Sequence, residues 1–139
     1  MSTSKNKAYV QRLIDEVYGK GKISLVDELL LPDYIYHYAG TDIKGPEGFK
    51  QNADSYKKAF PDLHVKIDRL VAEGDLVAAS LTFGGTFKGE IMGVAPTGKK
   101  FEISAVVLSR HGKGAKQLEA WTYMDMLAWY RQLGIKPPG

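Results

Sequence analysis

The residue best suited by its type and surroundings to do chemistry in this sequence is Asp125. It follows a strand-like run that contains Trp121 and Tyr123, and it precedes a helix-like run. A carboxyl group among aromatic side chains loses hydration, which favours its neutral form and suits a general acid or base near neutral pH. Aspartate is also among the best helix N-caps, because its side chain accepts a backbone N–H of the first turn. Both roles are open for Asp125.

A second chemical candidate is His37, which lies in the short β-forming segment Tyr34–Tyr38. Histidine titrates near neutral pH and can donate a hydrogen bond to a carbonyl group, so a His and an Asp across one pocket could move a proton from carbon to oxygen. The alternative is a histidine satisfied within a partly buried strand. His64 is predicted to be structural, and His111, at a hairpin rim, is predicted to be solvated.

The composition restricts the class of protein. The 139 residues are 44% hydrophobic, which fits one domain over residues 1–139 with a sizeable core. Lysine and arginine are interspersed with acidic residues, so the net charge of +3 predicts a solvated surface and no nucleic-acid partner. The absence of cysteine excludes disulfides and thiolate chemistry. No two of the three histidines lie within one helical turn, and we therefore predict no metal site.

The sequence also predicts the cellular location of the protein. Its first residues lack the apolar core of a signal peptide, and no apolar run approaches the length that crosses a bilayer. We expect a cytoplasmic protein that does not bind membranes.

The first half of the chain has helical periodicity. Apolar residues recur on one face from about Ser4 to Tyr18, which predicts a first helix. Ser24 and Asp27 resemble a capping box that opens a short second helix, and Pro32 should stop it. A brief strand at Tyr34–Tyr38, a loop from Ala39 to Gly45 and a third helix between Pro46 and Pro61 should follow.

The second half changes to a period near 2, which predicts four strands and a closing helix. The strands run at about Leu63–Ala72, Leu76–Phe87, Lys100–His111 and Ala115–Tyr123. Together these elements predict an α+β fold with helices packed on a curved, mainly antiparallel sheet. Alternation places Phe101, Ile103, Ala105 and Val107 on one face of the third strand. If alternation holds to the end of the last strand, Glu119, Trp121, Tyr123 and Asp125 share a face there. Alternation alone does not say which face is concave.

Several segments in order carry a family resemblance: AFPDLHVKI, AEGD, GTFKGEIMGVAPTGK and WTYMDMLAWYRQLG. Their combination, from about Tyr9 to Gly134, resembles the SnoaL-like polyketide or ester cyclase family of the NTF2-like superfamily. The resemblance implies a cone-shaped barrel around the first helix, with a pocket inside the cone. It also implies aldol-type ring closure without metal or cofactor, and a homodimer or higher oligomer formed through the open sheet face.

The resemblance also implies roles for individual residues. The family's acid–base aspartate stands nine residues before the glycine of a terminal QLG, as Asp125 does here. A pocket tyrosine of the first helix corresponds to Tyr18, and a polar residue after the second helix corresponds to His37. The family's Gln and His pair is replaced by Ala105 and Val107, which implies either a smaller, more apolar substrate or a fold kept without that chemistry.

Three further aromatic residues, Trp121, Tyr56 and Phe60, are candidates to stack on a flat substrate, although aromatic residues at such spacing are commonly core.

The leading hypothesis is a cofactor-independent cyclase or isomerase that acts on a small, largely apolar carbonyl or polyketide-like compound. Asp125 would remove an α-proton, and His37 or water would stabilise the enolate oxygen. The alternative is a non-catalytic small-molecule binding or association domain, which the apolar Ala105 and Val107 favour. Epoxide hydration ranks last, because it needs a carboxylate pair beside an arginine and the four arginines form no clear constellation.

Overall fold

The computed structural model describes residues 2–38 and 40–137. Its strands are β1 (Leu30–Tyr38), β2 (Thr41–Lys44), β3 (His64–Glu73), β4 (Leu76–Thr86), β5 (Lys100–His111) and β6 (Gln117–Met124). Its α-helices are α1 (Thr3–Arg12), α2 (Val26–Leu29), α3 (Gly45–Ala59) and α4 (Met126–Leu133). The predicted α+β architecture, with helices packed on a mainly antiparallel sheet, is confirmed.

The six strands form a sheet with the order β2-β1-β6-β5-β4-β3. Strands β3 to β6 are an antiparallel meander, as their period-2 patterns predicted. Strand β1 pairs in parallel with β6, and β2 pairs antiparallel with β1. The first and second halves of the chain therefore meet along the β1–β6 pair.

The helices cover one face of this sheet, which we call the inner face. Helix α1 continues as a π-helical segment over Leu13–Gly19, so the predicted first helix has the expected extent. It packs on β3 and β4, while α3 contacts β1 and α4 contacts β5. Among the described residues, no helix combines the length and the apolar character needed to cross a membrane.

The burial of β5 shows which side of the sheet faces the helices. Phe101, Ile103 and Ala105 are buried, whereas Glu102, Ser104 and Val106 are exposed. The face predicted for Phe101, Ile103, Ala105 and Val107 is therefore the inner face. The other side of the sheet is the outer face.

Three local predictions are wrong. Ser24 lies within a 3-10 turn at Ile23–Leu25, and no side chain caps α2, so the capping box does not form. Strand β1 starts earlier than predicted and passes through Pro32, which the sheet accommodates because the β1–β6 register is irregular there. The predicted loop contains β2, which pairs with β1; its first residue, Ala39, lies outside the described residues.

The predicted solvation of His111 is also wrong. Its side chain is buried, because the turn between β5 and β6 folds over it. Ala115 O accepts from the His111 Nδ1–H at 2.7 Å, and Nε2 lies 2.8 Å from the Ser109 hydroxyl. Burial lowers the pKa of His111, which matches its role as a neutral hydrogen-bonding group.

Candidate ligand-binding cavity

A cavity of about 90 Å³ lies between the inner face of the sheet and the helices. One side is rich in tyrosine: Tyr18 from the π-helical segment, Tyr34, Tyr36 and Tyr38 from β1, and Tyr56 from α3. The opposite side is aliphatic and includes Val65, Ala79, Leu81, Ala105 and Val107. The cavity therefore suits a small, flat and largely apolar molecule.

Strand alternation decides which residues of β1 and β6 face the cavity. Tyr36 and Thr122 line it, whereas their sequence neighbours His37 and Trp121 stack on each other on the outer face. His37 pairs with Trp121 across the β1–β6 ladder. This register places His37 and Trp121 together on the outer face, and Tyr36 and Thr122 together on the inner face.

The polar groups of the cavity are neutral. The Tyr36 hydroxyl is hydrogen-bonded to the Thr122 hydroxyl. The Tyr38 hydroxyl and the Asn52 Nδ2 are buried, and no described residue bonds to either. A buried donor without a partner is costly, so both groups favour a ligand that brings an acceptor such as a carbonyl oxygen.

The tyrosines act as donors rather than as bases. Burial raises the pKa of Tyr36 to about 12, although its hydrogen bond with Thr122 acts in the opposite direction. Burial also raises the pKa values of Tyr18, Tyr34 and Tyr38. Among the described residues that line the cavity, none is Asp, Glu, His, Lys or Arg. The cavity is therefore uncharged near neutral pH.

Asp125 does not line this cavity. It is exposed at the start of α4, where its Oδ1 accepts a hydrogen bond from the Ala128 N–H at 3.0 Å. The predicted N-cap is thus confirmed. The β6 residues that line the cavity are Gln117, Ala120, Thr122 and Met124. The acid–base role of Asp125 stays a prediction that its position does not support.

His37 lies on the outer face, in a cluster that links three strands. Its Nδ1 is 2.7 Å from Asp42 Oδ1 of β2, and its Nε2 is 2.7 Å from Glu119 Oε2 of β6. The hydrogen bonds with Glu119 and Asp42 raise the pKa of His37. Its ring stacks on Trp121 at 5.4 Å between centroids, and the Arg110 guanidinium lies 5.8 Å from the Trp121 ring centroid.

A second, open cleft of about 540 Å³ lies beside this cluster. His37, Asp42 and Trp121 line it, together with Tyr38 and Thr122, which also line the inner cavity. His37 and Asp125 are therefore not brought together in one cavity.

The predicted substrate-binding residues divide into two groups. Tyr18, Tyr56, Ala105 and Val107 line the cavity, and their contact with a ligand stays a prediction. Phe60 is fully buried against Phe101, with 4.8 Å between ring centroids, and belongs to the core. Trp121 faces outward.

The sequence prediction missed Tyr36, Tyr38, Thr122 and Asn52. The alternation of β1 contained a signal for the two tyrosines, because Tyr34, Tyr36 and Tyr38 share the face opposite His37. Without knowledge of which face the helices cover, that signal could not be assigned to a cavity. Within residues 2–38 and 40–137, no cluster of three or more His, Asp or Glu side chains could hold a metal ion.

An α+β cone with helices over one face of a curved sheet and a cavity between them defines the NTF2-like class of proteins. Within that class, the sequence profile described as SnoaL-like polyketide cyclase matches residues 8–133. The chain belongs to this family.

Individual relatives are similar over nearly the whole chain. Aklanonic acid methyl ester cyclase AcmA from Streptomyces galilaeus is 32% identical over 135 residues, which cover 94% of this chain and 92% of AcmA. Among solved structures, TsrD from Streptomyces laurentii has a TM-score of 0.87 at 26% identity, covering 98% of this chain and 99% of TsrD. IdmH from Streptomyces antibioticus has a TM-score of 0.79 at 30% identity, covering 94% and 99%.

Proposed function

We propose that this protein is a cofactor-independent cyclase or isomerase that closes a ring in a small, neutral, largely apolar carbonyl or polyketide-like compound. Membership of the SnoaL-like family and the likeness to a methyl ester cyclase support this reaction class. The observation that carries the proposal is the cavity, whose walls are aromatic and aliphatic and whose polar groups are neutral donors.

The cavity suits an aldol-type ring closure in two ways. Its apolar walls exclude water and hold a flexible chain folded, so that the nucleophilic carbon stays close to its electrophile. Hydroxyl and amide donors such as Tyr38 and Asn52 can bond to carbonyl oxygens, where negative charge develops during enolisation.

The charge of the ligand follows from the same lining. No described cationic side chain faces the cavity, so a carboxylate bound there would lose its hydration without a compensating ion pair. We therefore propose that esters and ketones bind and that the corresponding free acids are excluded.

The roles predicted for Asp125 and His37 have less support than the cavity. Asp125 is an exposed helix cap, and His37 bonds to two carboxylates on the outer face. Neither lines the cavity in which the ring closure is proposed. We therefore propose that catalysis inside the cavity relies on groups other than these two.

A second candidate function, non-catalytic binding of a small molecule, is favoured by one observation. None of the described lining residues has a carboxylate or imidazole that could act as a base. In that case the cavity would hold the same class of ligand without turnover.

We also propose that the protein forms a homodimer through its outer sheet face. Val106 and Tyr123 are cross-strand neighbours there and are 41% and 58% exposed, and Val71 on β3 is 62% exposed. Exposed large apolar side chains on one sheet face are typical of an interface. Light scattering that shows only a 15.4 kDa species would contradict the proposal. The cytoplasmic location stays a prediction.

The function can be tested with aryl 1,3,5-triketones and their ester-bearing analogues, each paired with the matching free acid. Calorimetry measures binding, and chromatography with mass detection measures cyclised products. Ala105→Leu, which fills the cavity, is the blocked variant, and Ser104→Ala, at an exposed position next to it in sequence, is its control.

We expect wild type and Ser104→Ala to cyclise the neutral compounds, and Ala105→Leu to lose both binding and turnover. Binding without turnover supports the non-catalytic alternative. If the neutral compounds do not bind at all, both candidate functions are refuted.

A further inference from the structure

We propose that Tyr36 and Thr122 form a hydroxyl relay that carries the proton during ring closure, an inference that rests on the proposed cyclase function. The two hydroxyls are hydrogen-bonded to each other, and both side chains line the cavity. Within residues 2–38 and 40–137, no other pair of cavity-lining side chains is joined by a direct hydrogen bond between two hydroxyl groups.

The fold holds this pair in place from two strands. Tyr36 pairs with Ala120 across the parallel β1–β6 ladder, which puts Thr122 two residues further along β6 on the same inner face. The Tyr36 ring packs against Tyr34, Tyr38 and Phe49, with centroid distances of 6.4, 5.7 and 5.9 Å. Packing on three sides restricts its rotamer, so the hydroxyl position is set before a ligand binds.

A relay fits this cavity better than a base does. A general base must hold the proton that it takes up, and the described lining offers no carboxylate or imidazole that can do so near neutral pH. A hydroxyl group, however, can accept one proton and donate another in the same step. A 1,3-dicarbonyl compound supplies the matching partner, because its enol tautomer already carries the proton on oxygen and its central carbon is nucleophilic.

The step balances without an ion. The enol C=C electrons form the new carbon–carbon bond to the electrophilic carbonyl, whose π electrons move to its oxygen. The enol O–H bond breaks and its electrons complete a C=O bond. The first hydroxyl of the pair accepts that proton and passes its own proton along the Tyr36–Thr122 hydrogen bond to the second hydroxyl, which gives its own proton to the new alkoxide. The pair is neutral before and after, and the product is an isomer of the substrate.

Tyr38 has a supporting place in this arrangement. It is the next inward residue along β1, and its hydroxyl is buried with no described partner. A hydrogen bond from this hydroxyl to the electrophilic carbonyl would place that oxygen beside the relay and polarise the bond that breaks.

The test uses 1-phenylhexane-1,3,5-trione as the probe, with the variants Tyr36→Phe, Thr122→Val and the double variant. Each removes a hydroxyl and keeps the shape of the side chain. Because the two hydroxyls act as one unit, we expect each single variant to lose about 100-fold in kcat, and the double variant to lose little more. The KM values should change by less than about threefold, and Thr122→Ser should restore most of the activity.

Tyr123→Phe is the matched control, because it removes a phenol hydroxyl from the outer face. A relay without ionisation also predicts a kcat that is flat from about pH 6 to 9, whereas a titrating carboxylate base would give an acidic limb; the readout that a purely structural role would not give is the non-additive loss in kcat at nearly constant KM. The relay would be overturned if the losses in kcat of the two single variants added up in the double variant. It would also be overturned if the wild-type pH profile of kcat had an acidic limb that disappeared in Asp125→Asn. A wild-type protein that binds the probe without cyclising it would instead refute the proposed enzyme, whereas active variants would refute the relay alone.

Discussion

Replacing Asp125 with asparagine and with alanine would separate a helix cap from a catalytic acid. Asp125 Oδ1 accepts one hydrogen bond from the Ala128 N–H at 3.0 Å, at an exposed position. Loss of such a cap typically costs about 1 kcal/mol, within a range of about 0.5–2 kcal/mol. We therefore expect Asp125→Ala to lower the free energy of unfolding by about 1 kcal/mol.

Asparagine keeps an amide oxygen that can accept the same hydrogen bond, so it should cost only the favourable interaction of the carboxylate with the helix dipole. At an exposed position that is about 0.3–1 kcal/mol. The buried Trp129 and Leu133 anchor α4 in the core, so neither variant should unfold the helix. Both should bind ligand as the wild type does.

Urea unfolding checks the first expectation. With a slope of about 1–3 kcal/mol per molar urea, a loss of 1 kcal/mol moves the midpoint down by about 0.3–1 M for Asp125→Ala. Initial rates of cyclisation, measured on the same protein, check the second. The reasoning is refuted if Asp125→Asn keeps its stability and yet loses more than about tenfold in kcat, because asparagine caps a helix but cannot transfer the proton.

The remaining predictions concern the outer face and the cavity. Glu119→Gln weakens the main hydrogen bond that raises the pKa of His37. Because the pKa of His37 is raised in the folded state, its hydrogen bonds stabilise the protein fully below the unfolded-state pKa of about 6.5, and this stabilisation is lost as pH rises through the folded-state pKa. Urea titrations should therefore show that Glu119→Gln lowers the free energy of unfolding by up to about 1 kcal/mol near pH 6 and by less near pH 9. If the proposed dimer forms, Val106→Lys should shift the sedimenting species to 15.4 kDa, while Met92→Lys, at a position 50% exposed on a loop, should not. Ala105→Leu should weaken binding of the triketone, measured by calorimetry, by more than about tenfold, because the larger side chain extends into the cavity. For the same reason it should change the free energy of unfolding by no more than about 3 kcal/mol.

The elements of this fold follow from local patterns. The period-2 runs predicted β3, β4 and β5 to within about a residue at each end, because turn signals such as Glu73-Gly74-Asp75 bound them. The first helix was also clear, since apolar residues recur at helical spacing from Val10 to Tyr18. Strand β2 was missed because only four residues form it, and its stability comes from pairing with β1 rather than from its own composition.

The site was harder to predict than the fold because it depends on tertiary context. Alternation correctly grouped Trp121 and Tyr123 on one face of β6, whereas Asp125 lies beyond the strand; which face the helices cover depends on how distant segments pack. His111 shows the same limit, because its burial comes from the turn at Lys113–Ala115 and not from its own strand. Register and packing, rather than residue type, decided which candidates reached the cavity.

One strand register accounts for both the neutral cavity and the charged cluster behind it. His37 and Glu119 lie on the outer face of β1 and β6, and Tyr36 and Thr122 lie on the inner face of the same strands. A slip of β6 by one residue against β1 would turn Glu119 towards the cavity and Thr122 away from it, and so would separate both pairs. The bonds from His37 to Glu119 and to Asp42 join β1 to both of its neighbours and so oppose that slip. Of the two ionisable candidates in the sequence, His37 thus lies behind the cavity, where its bonds oppose a change in the register that positions the neutral groups inside it.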